Sequence, residues 1–139
     1  MTTMANHTVT TLLTAVLLQI SVAQLSAAAP EFTAFNDNGG WCWFQDERAT
    51  VSGDRLVFAS VANTLGADGV RRGGNIEVTA VDLTGKVPSV TTVLHAQLQN
   101  DDHAAPALLV LDDGRILAMY YRHGSDRLVR FRVSVHPGA

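Results

Sequence analysis

Beyond Pro30, apolar residues recur in short runs separated by turn residues, without a sustained 3.6-residue period. Short runs that are rich in β-branched side chains and bounded by Gly, Asp or Pro are typical of β-strands. Seven such runs follow one another, at residues 48–51, 55–62, 74–83, 89–96, 106–111, 115–121 and 127–134. The pattern therefore predicts an all-β domain made of short strands.

Two stretches of the chain share one order of features, RATV-SGD-RLVFASVA and PALLVL-DDG-RILAMYY. Each contains a strand, a tight acidic turn with Gly, an arginine (Arg55 or Arg115) and a second strand, and a further strand follows. Repeated sheets of about four antiparallel strands are the sequence signature of propeller blades. We therefore predict a β-propeller fragment with about two four-stranded antiparallel blades, and a single β-sandwich is the alternative.

The strands differ in the composition of their two faces. Both faces of 115–121 carry apolar side chains, so we expect both to be buried. The strand at 127–134 alternates Val129, Phe131 and Val133 with arginines, which predicts one face in water. About two blades are fewer than the four or more of a closed propeller, so we expect a truncated piece of a larger protein.

The N-terminal segment has a different character. Residues 11–25 form an apolar run without charge that is short for a membrane span, and small residues follow it. This pattern predicts a secretory signal at residues 1–28, with a cleavage motif that ends at Ala23 or Ala28, and an uncleaved membrane anchor is the alternative. We therefore expect a secreted or extracytoplasmic domain at residues 29–139, without stable membrane insertion after signal removal.

Charge and cysteine content narrow the function classes. The net charge of −3 argues against a nucleic-acid partner, which requires a basic face. Cys42 is the only cysteine, so we expect neither an intrachain disulfide nor a cysteine-based metal site. Because Cys42 lies within WCWF, we expect it to be a buried apolar residue.

A histidine stands at each end of the hairpin formed by 106–111 and 115–121. The two ends of an antiparallel hairpin meet, so His103 and His123 should emerge at one rim. An aspartate beside an imidazole can orient it for general acid or base chemistry. Adjacent residues in an extended segment point in opposite directions, so at most one of Asp101 and Asp102 should contact His103.

Other interpretations of these polar residues remain open. Asp101-Asp102-His103 can be an ordinary polar loop, and two histidines with one aspartate can bind a metal, but two histidines alone are too few. We assign no metal ligand from the sequence. Arg122 can neutralise a carboxylate through a bidentate contact, and Trp43 can stack on a sugar ring or simply pack in the core.

Two long motifs carry a family resemblance. FNDNGGWCWFQDERA and DDHAAPALLVLDDGRILAMYYRHG resemble the BNR-repeat-containing family of exported β-propeller proteins, and the resemblance covers essentially all of the chain after Pro30. Ala104 departs from the pattern, since the family has Asn at this position. The resemblance implies that residues 29–139 are the N-terminal part of a seven-bladed propeller.

The family is similar to seven-bladed polysaccharide lyases, including ulvan lyases, and to glycosidases that cleave rhamnose–glucuronate linkages. The resemblance implies β-elimination on a uronate-containing polysaccharide, with His103 and His123 as catalytic residues. We expect Asp102, Arg122 and Trp43 to bind the substrate. We assign no cofactor from the sequence; some relatives carry Ca²⁺ or Zn²⁺, generally structural, and the resemblance implies that the full-length protein can hold such an ion.

Two other functions are compatible with the same resemblance: a glycoside hydrolase acting on rhamnosyl–glucuronate ends, and a non-catalytic carbohydrate-binding propeller. The Tyr and Arg that complete the lyase sites belong to later blades. We therefore expect this fragment to be inactive on its own.

Overall fold

The computed structural model describes residues 31–40, 42 and 47–138. The predicted signal at 1–28 and the predicted sugar-stacking residue Trp43 lie outside the described residues. Within the described part of the chain, no helix has both the length and the apolar character needed to cross a membrane.

All seven predicted strands are present. They are β1 (Ala49–Ser52), β2 (Arg55–Val61), β3 (Ile76–Asp82), β4 (Val90–His95), β5 (Ala107–Val110), β6 (Ile116–Tyr121) and β7 (Val129–Val133). Two short helical segments separate them, α1 (Gly69–Arg72) and a 3₁₀ turn (Asp102–Ala104). The all-β prediction is therefore confirmed.

The strands form two open antiparallel sheets in which each strand pairs with its neighbour in sequence. One sheet has four strands in the order β1-β2-β3-β4, and the other has three in the order β5-β6-β7. The four-strand expectation thus holds for the first sheet, whereas the second has three strands within the described residues. Both repeated hairpins form, and their turns contain Gly53 (φ 55°) and Gly114 (φ 80°) in the left-handed region that favours glycine.

Two apolar clusters build the core. The first lies between the sheets and joins β2 to β5 and β6, through Val57, Ala59, Leu108, Ile116 and Ala118. The second packs beneath the 3₁₀ turn, and its members are Val61, Ile76, Leu98, Ala104, Ala105 and Tyr120. This second cluster anchors the turn that carries His103 against the ends of β2 and β6.

The two faces of the second sheet differ in a way that corrects the sequence interpretation. Tyr120 is buried, but Met119 and Tyr121 on the opposite face of β6 are each 46% exposed, so the expectation that both faces are buried is wrong. The register pairs Met119 with Phe131 and Tyr120 with Arg130. The apolar face of β7 is therefore exposed and Arg130 faces inward, because the described residues pack against only one face of this sheet.

Candidate functional site

The 3₁₀ turn that follows β4 fixes the first histidine. Asp101 precedes the turn in an extended conformation, and its Oδ1 accepts a hydrogen bond from the backbone N–H of His103 at 2.9 Å. This is the N-cap geometry that aspartate favours. Ala104 at the end of the turn and Pro106 shortly after it are buried, which anchors the turn in the core.

His103 and His123 stack on one another at one end of the hairpin. Their ring centroids are 4.4 Å apart, with 25° between the ring planes. The prediction that the two histidines emerge at one rim is therefore confirmed.

Asp101 bridges the two imidazoles. Its Oδ1 lies 2.9 Å from Nδ1 of His103, and its Oδ2 lies 3.0 Å from Nδ1 of His123. Burial by itself raises the pKa of Asp101, but hydrogen bonds from the backbone N–H of His103 and from the side chains of His123 and His103 outweigh it. The net effect lowers the pKa of Asp101 to about 2.

The ionisation of Asp101 sets the tautomer of both rings. A carboxylate has no proton to donate, so each Nδ1 that faces Asp101 must carry the hydrogen. When the rings are neutral, the lone pair of each is therefore on Nε2. Nε2 is then the acceptor atom of each neutral ring.

The two neighbouring aspartates both contact His103. Oδ1 of Asp102 lies 3.1 Å from Nδ1 of His103, in addition to the contact from Asp101. The expectation that at most one of them touches the imidazole is wrong, because the segment turns into a 3₁₀ helix and does not continue as a strand.

Two contacts at this site have no signal in the sequence. Gln99 clamps the backbone of His123: its Oε1 accepts from the His123 N–H at 2.7 Å, and its Nε2 donates to the His123 carbonyl at 3.0 Å. Cys42 is buried as expected, but its Sγ lies 3.6 Å from Nε2 of His103. Both contacts join segments far apart in the chain, so no local motif could reveal them.

An open cleft of about 510 Å³ lies beside the two rings. Its lining residues are Gly40, Val61, Asn63, Asn100, Asp101, Asp102, His103 and His123. Gly40 reaches the wall because it pairs with Val61 through two backbone hydrogen bonds of 2.7 and 3.0 Å. Four of these eight residues carry amide or carboxylate groups, and such groups suit a ligand with many hydroxyls.

The polar turn at residues 36–40 has a structural role. Arg72 donates to both carboxylate oxygens of buried Glu77, at 3.1 and 2.8 Å, and also contacts Asp37. The hydrogen bonds to Glu77 and Asp37 raise the pKa of Arg72, and the Arg72 guanidinium lowers the pKa of Asp37. Arg72 thus neutralises a carboxylate of its own chain and ties the turn to β3.

The remaining predicted substrate-binding residues have different placements. Asp102 lines the cleft. Arg122 donates from Nε to the carbonyl of Leu98 at 2.9 Å and is not among the residues that line the cleft. A substrate contact by Arg122 therefore stays a prediction, as does one by Trp43, which lies outside the described residues.

No family model, curated protein or solved structure matches this chain. The resemblance to BNR-repeat propellers accordingly remains a prediction from the two motifs.

Proposed function

We propose that this chain is the N-terminal part of an exported BNR-type β-propeller protein that cleaves a uronate-containing polysaccharide by β-elimination. The observation that carries the proposal is the pair of stacked imidazoles that share the Asp101 carboxylate beside a polar cleft. An ionised carboxylate behind an imidazole is a recurring way to orient a general base.

His103 acts as the base in this proposal. Its Nε2 takes the proton from C5 of the uronate, the C5–H electrons form the C4–C5 double bond, and the C4–O bond breaks. The leaving oxygen keeps the electron pair of the C4–O bond and receives a proton, which His103 can return. Asp101 supports both protonation states of His103, because its carboxylate accepts from Nδ1–H throughout.

His123 is placed to assist at the substrate carboxylate. It lines the cleft, half of its side chain is exposed, and Asp101 and Gln99 hold its ring and backbone. Abstraction of the C5 proton is easier when the neighbouring carboxylate is neutralised or hydrogen-bonded. In this proposal His123 supplies that interaction.

The state of Asp101 favours elimination over glycoside hydrolysis. Hydrolysis generally uses two carboxyl groups, and one of them must stay protonated to act as the acid. The lowered pKa of Asp101 keeps it ionised, and both of its oxygens already accept hydrogen bonds. Among the described residues that line the cleft, Asp102 is then the one remaining carboxyl group for such a role, and about half of its side chain is exposed.

Two features of the fold support a propeller. The first sheet is a four-stranded antiparallel meander, which is the architecture of a blade. The second sheet presents an apolar outer face that includes Leu109, Met119 and Phe131, and a further sheet packed there would bury it. Both features suit stacked blades of a seven-bladed propeller.

The test uses a longer protein that carries the chain, with a rhamnose–glucuronate polysaccharide, and also the chain on its own, which we expect to be inactive. With the longer protein we expect the ultraviolet absorbance of an unsaturated uronate to appear, and His103→Gln to abolish it. His136→Gln is the matched control, because His136 is exposed and does not line the cleft.

Other outcomes would replace this function. New reducing ends without the chromophore would indicate a hydrolase acting on rhamnosyl–glucuronate ends. Polysaccharide binding that survives His103→Gln, without turnover by the wild type, would indicate a non-catalytic binding propeller.

A further inference from the structure

We propose that Cys42, His103 and Asp102 form a binding site for a thiophilic divalent cation such as Zn²⁺. One potential ligand atom from each of these residues lies within 4.8 Å of the other two. Cys42 and His103 belong to segments about sixty residues apart in the sequence, so the folded structure is needed to bring the ligands together. The proposal that a cation binds there does not depend on whether the protein catalyses β-elimination.

The spacing of the sulfur and nitrogen atoms carries the proposal. A tetrahedral zinc ion holds thiolate sulfur at about 2.3 Å and imidazole nitrogen at about 2.0–2.1 Å, which puts these two ligand atoms about 3.5 Å apart. Sγ of Cys42 and Nε2 of His103 are 3.6 Å apart. A cation can therefore bridge them with almost no movement of either side chain.

The hydrogen bonds of His103 present the correct nitrogen. Nδ1–H donates to Asp101, so Nε2 carries the lone pair that faces Cys42. A carboxylate behind the far nitrogen is the usual companion of a metal-binding histidine. Asp101 itself is better suited to orientation than to ligation, because three N–H groups already occupy its oxygens.

Asp102 provides the third ligand. About half of its side chain is exposed, so its carboxylate can rotate toward the cation at small cost. Three protein ligands leave a fourth position for water or another small ligand. Both Asp102 and His103 line the open cleft, which gives the cation a route to the buried sulfur.

The donor set selects the type of cation. Sulfur and imidazole donors suit Zn²⁺ and related transition metals, whereas Ca²⁺ requires six to eight oxygen ligands. The residues at this site therefore fit Zn²⁺ better than Ca²⁺. A bound ion would also occupy Nε2 of His103, so it should inhibit β-elimination; this consequence, unlike the binding, rests on the proposed function.

The test uses Co²⁺ as a spectroscopic probe on the chain produced without a histidine tag. We expect one equivalent of Co²⁺ to give intense visible bands together with a thiolate-to-cobalt charge-transfer band, and Zn²⁺ to displace it. Cys42→Ser should remove the charge-transfer band and weaken binding at least tenfold. His103→Gln should weaken binding to a similar extent, while His136→Gln should leave it unchanged.

A second measurement covers the chance that a substitution at buried Cys42 prevents folding. Cys42 is the only thiol, so the rate at which a thiol reagent labels the wild-type chain reports on this site alone. Zn²⁺ should slow the labelling and Mg²⁺ should not. Labelling that is unaffected by Zn²⁺, or a cobalt complex without a charge-transfer band, would overturn the proposal.

Discussion

Glu77 and Asp101 are two carboxylates that organise their surroundings in opposite ways. The Glu77 side chain is 1% exposed and receives two hydrogen bonds from Arg72, whose charge is permanent. Asp101 is 26% exposed and accepts hydrogen bonds from Nδ1 of two imidazoles, so that Nε2 is the acceptor atom of each neutral ring. The first carboxylate stabilises the fold around a turn, whereas the second prepares reactive groups beside a cleft.

The largest effect should come from breaking the buried pair. Glu77→Gln leaves the Arg72 guanidinium without its main counter-charge, and we expect the free energy of unfolding to fall by about 3–5 kcal/mol. Urea denaturation measures this loss. Arg71→Gln is the control, since Arg71 is the neighbouring arginine and pairs with Asp68 at the surface. Equal losses for the two variants would mean that the Glu77 pair has no special structural role.

Asp101→Asn should produce a smaller loss of stability and a larger loss of function. Asparagine is as good an N-cap as aspartate, so the 3₁₀ turn should persist. The charge-assisted hydrogen bonds to His103 and His123 are lost, which we expect to cost about 1.5–3 kcal/mol. Elimination activity of the longer protein should fall by at least tenfold, because the amide is uncharged and its NH₂ group, in place of Oδ2, cannot accept from Nδ1 of His123. Asp102→Asn is the control, and it should affect stability less.

The free energy of unfolding should depend on acidic pH more strongly in the wild type than in Asp101→Asn. The pKa of Asp101 is lowered from its ordinary value of 3.8 to about 2. A lowered folded-state pKa contributes stability that is complete above about pH 4 and is lost as the pH falls through about 2. The two proteins should therefore differ by up to about 2 kcal/mol at pH 5 and converge near pH 2. Unfolding curves across this range measure the difference, and a constant difference would contradict it.

The smallest effect should come from Tyr120, whose buried hydroxyl lacks the hydrogen-bond partners that Glu77 and Asp101 have. The hydroxyl of Tyr120 is buried and has no hydrogen-bond partner among the described residues. Tyr120→Phe removes an unpaired polar atom, so we expect the free energy of unfolding to change by less than about 1 kcal/mol. Thermal unfolding tests this, and a loss as large as that of Asp101→Asn would reveal a partner for this hydroxyl.

Much of the secondary structure could be predicted because strands and turns are local. Every predicted strand is present, and the acidic Gly turns mark both repeated hairpins. The convergence of His103 and His123 was also predictable, since it follows from hairpin geometry alone. The predictions of burial were wrong for part of the second sheet. Met119 and Phe131 have the apolar character of core residues but are exposed, because burial depends on which other layers cover a sheet.

The sequence by itself determined the alternation of strands, the positions of their turns and the pairing of the two histidines at one rim. Only the tertiary structure decided that Asp101 bridges both rings, that Cys42 meets His103, and that Arg72 pairs with Glu77. The physical reason is the distance along the chain over which each effect acts. Backbone propensity and hairpin closure act between residues that are near one another in the sequence. The contacts that give a side chain its chemistry depend on how distant segments pack.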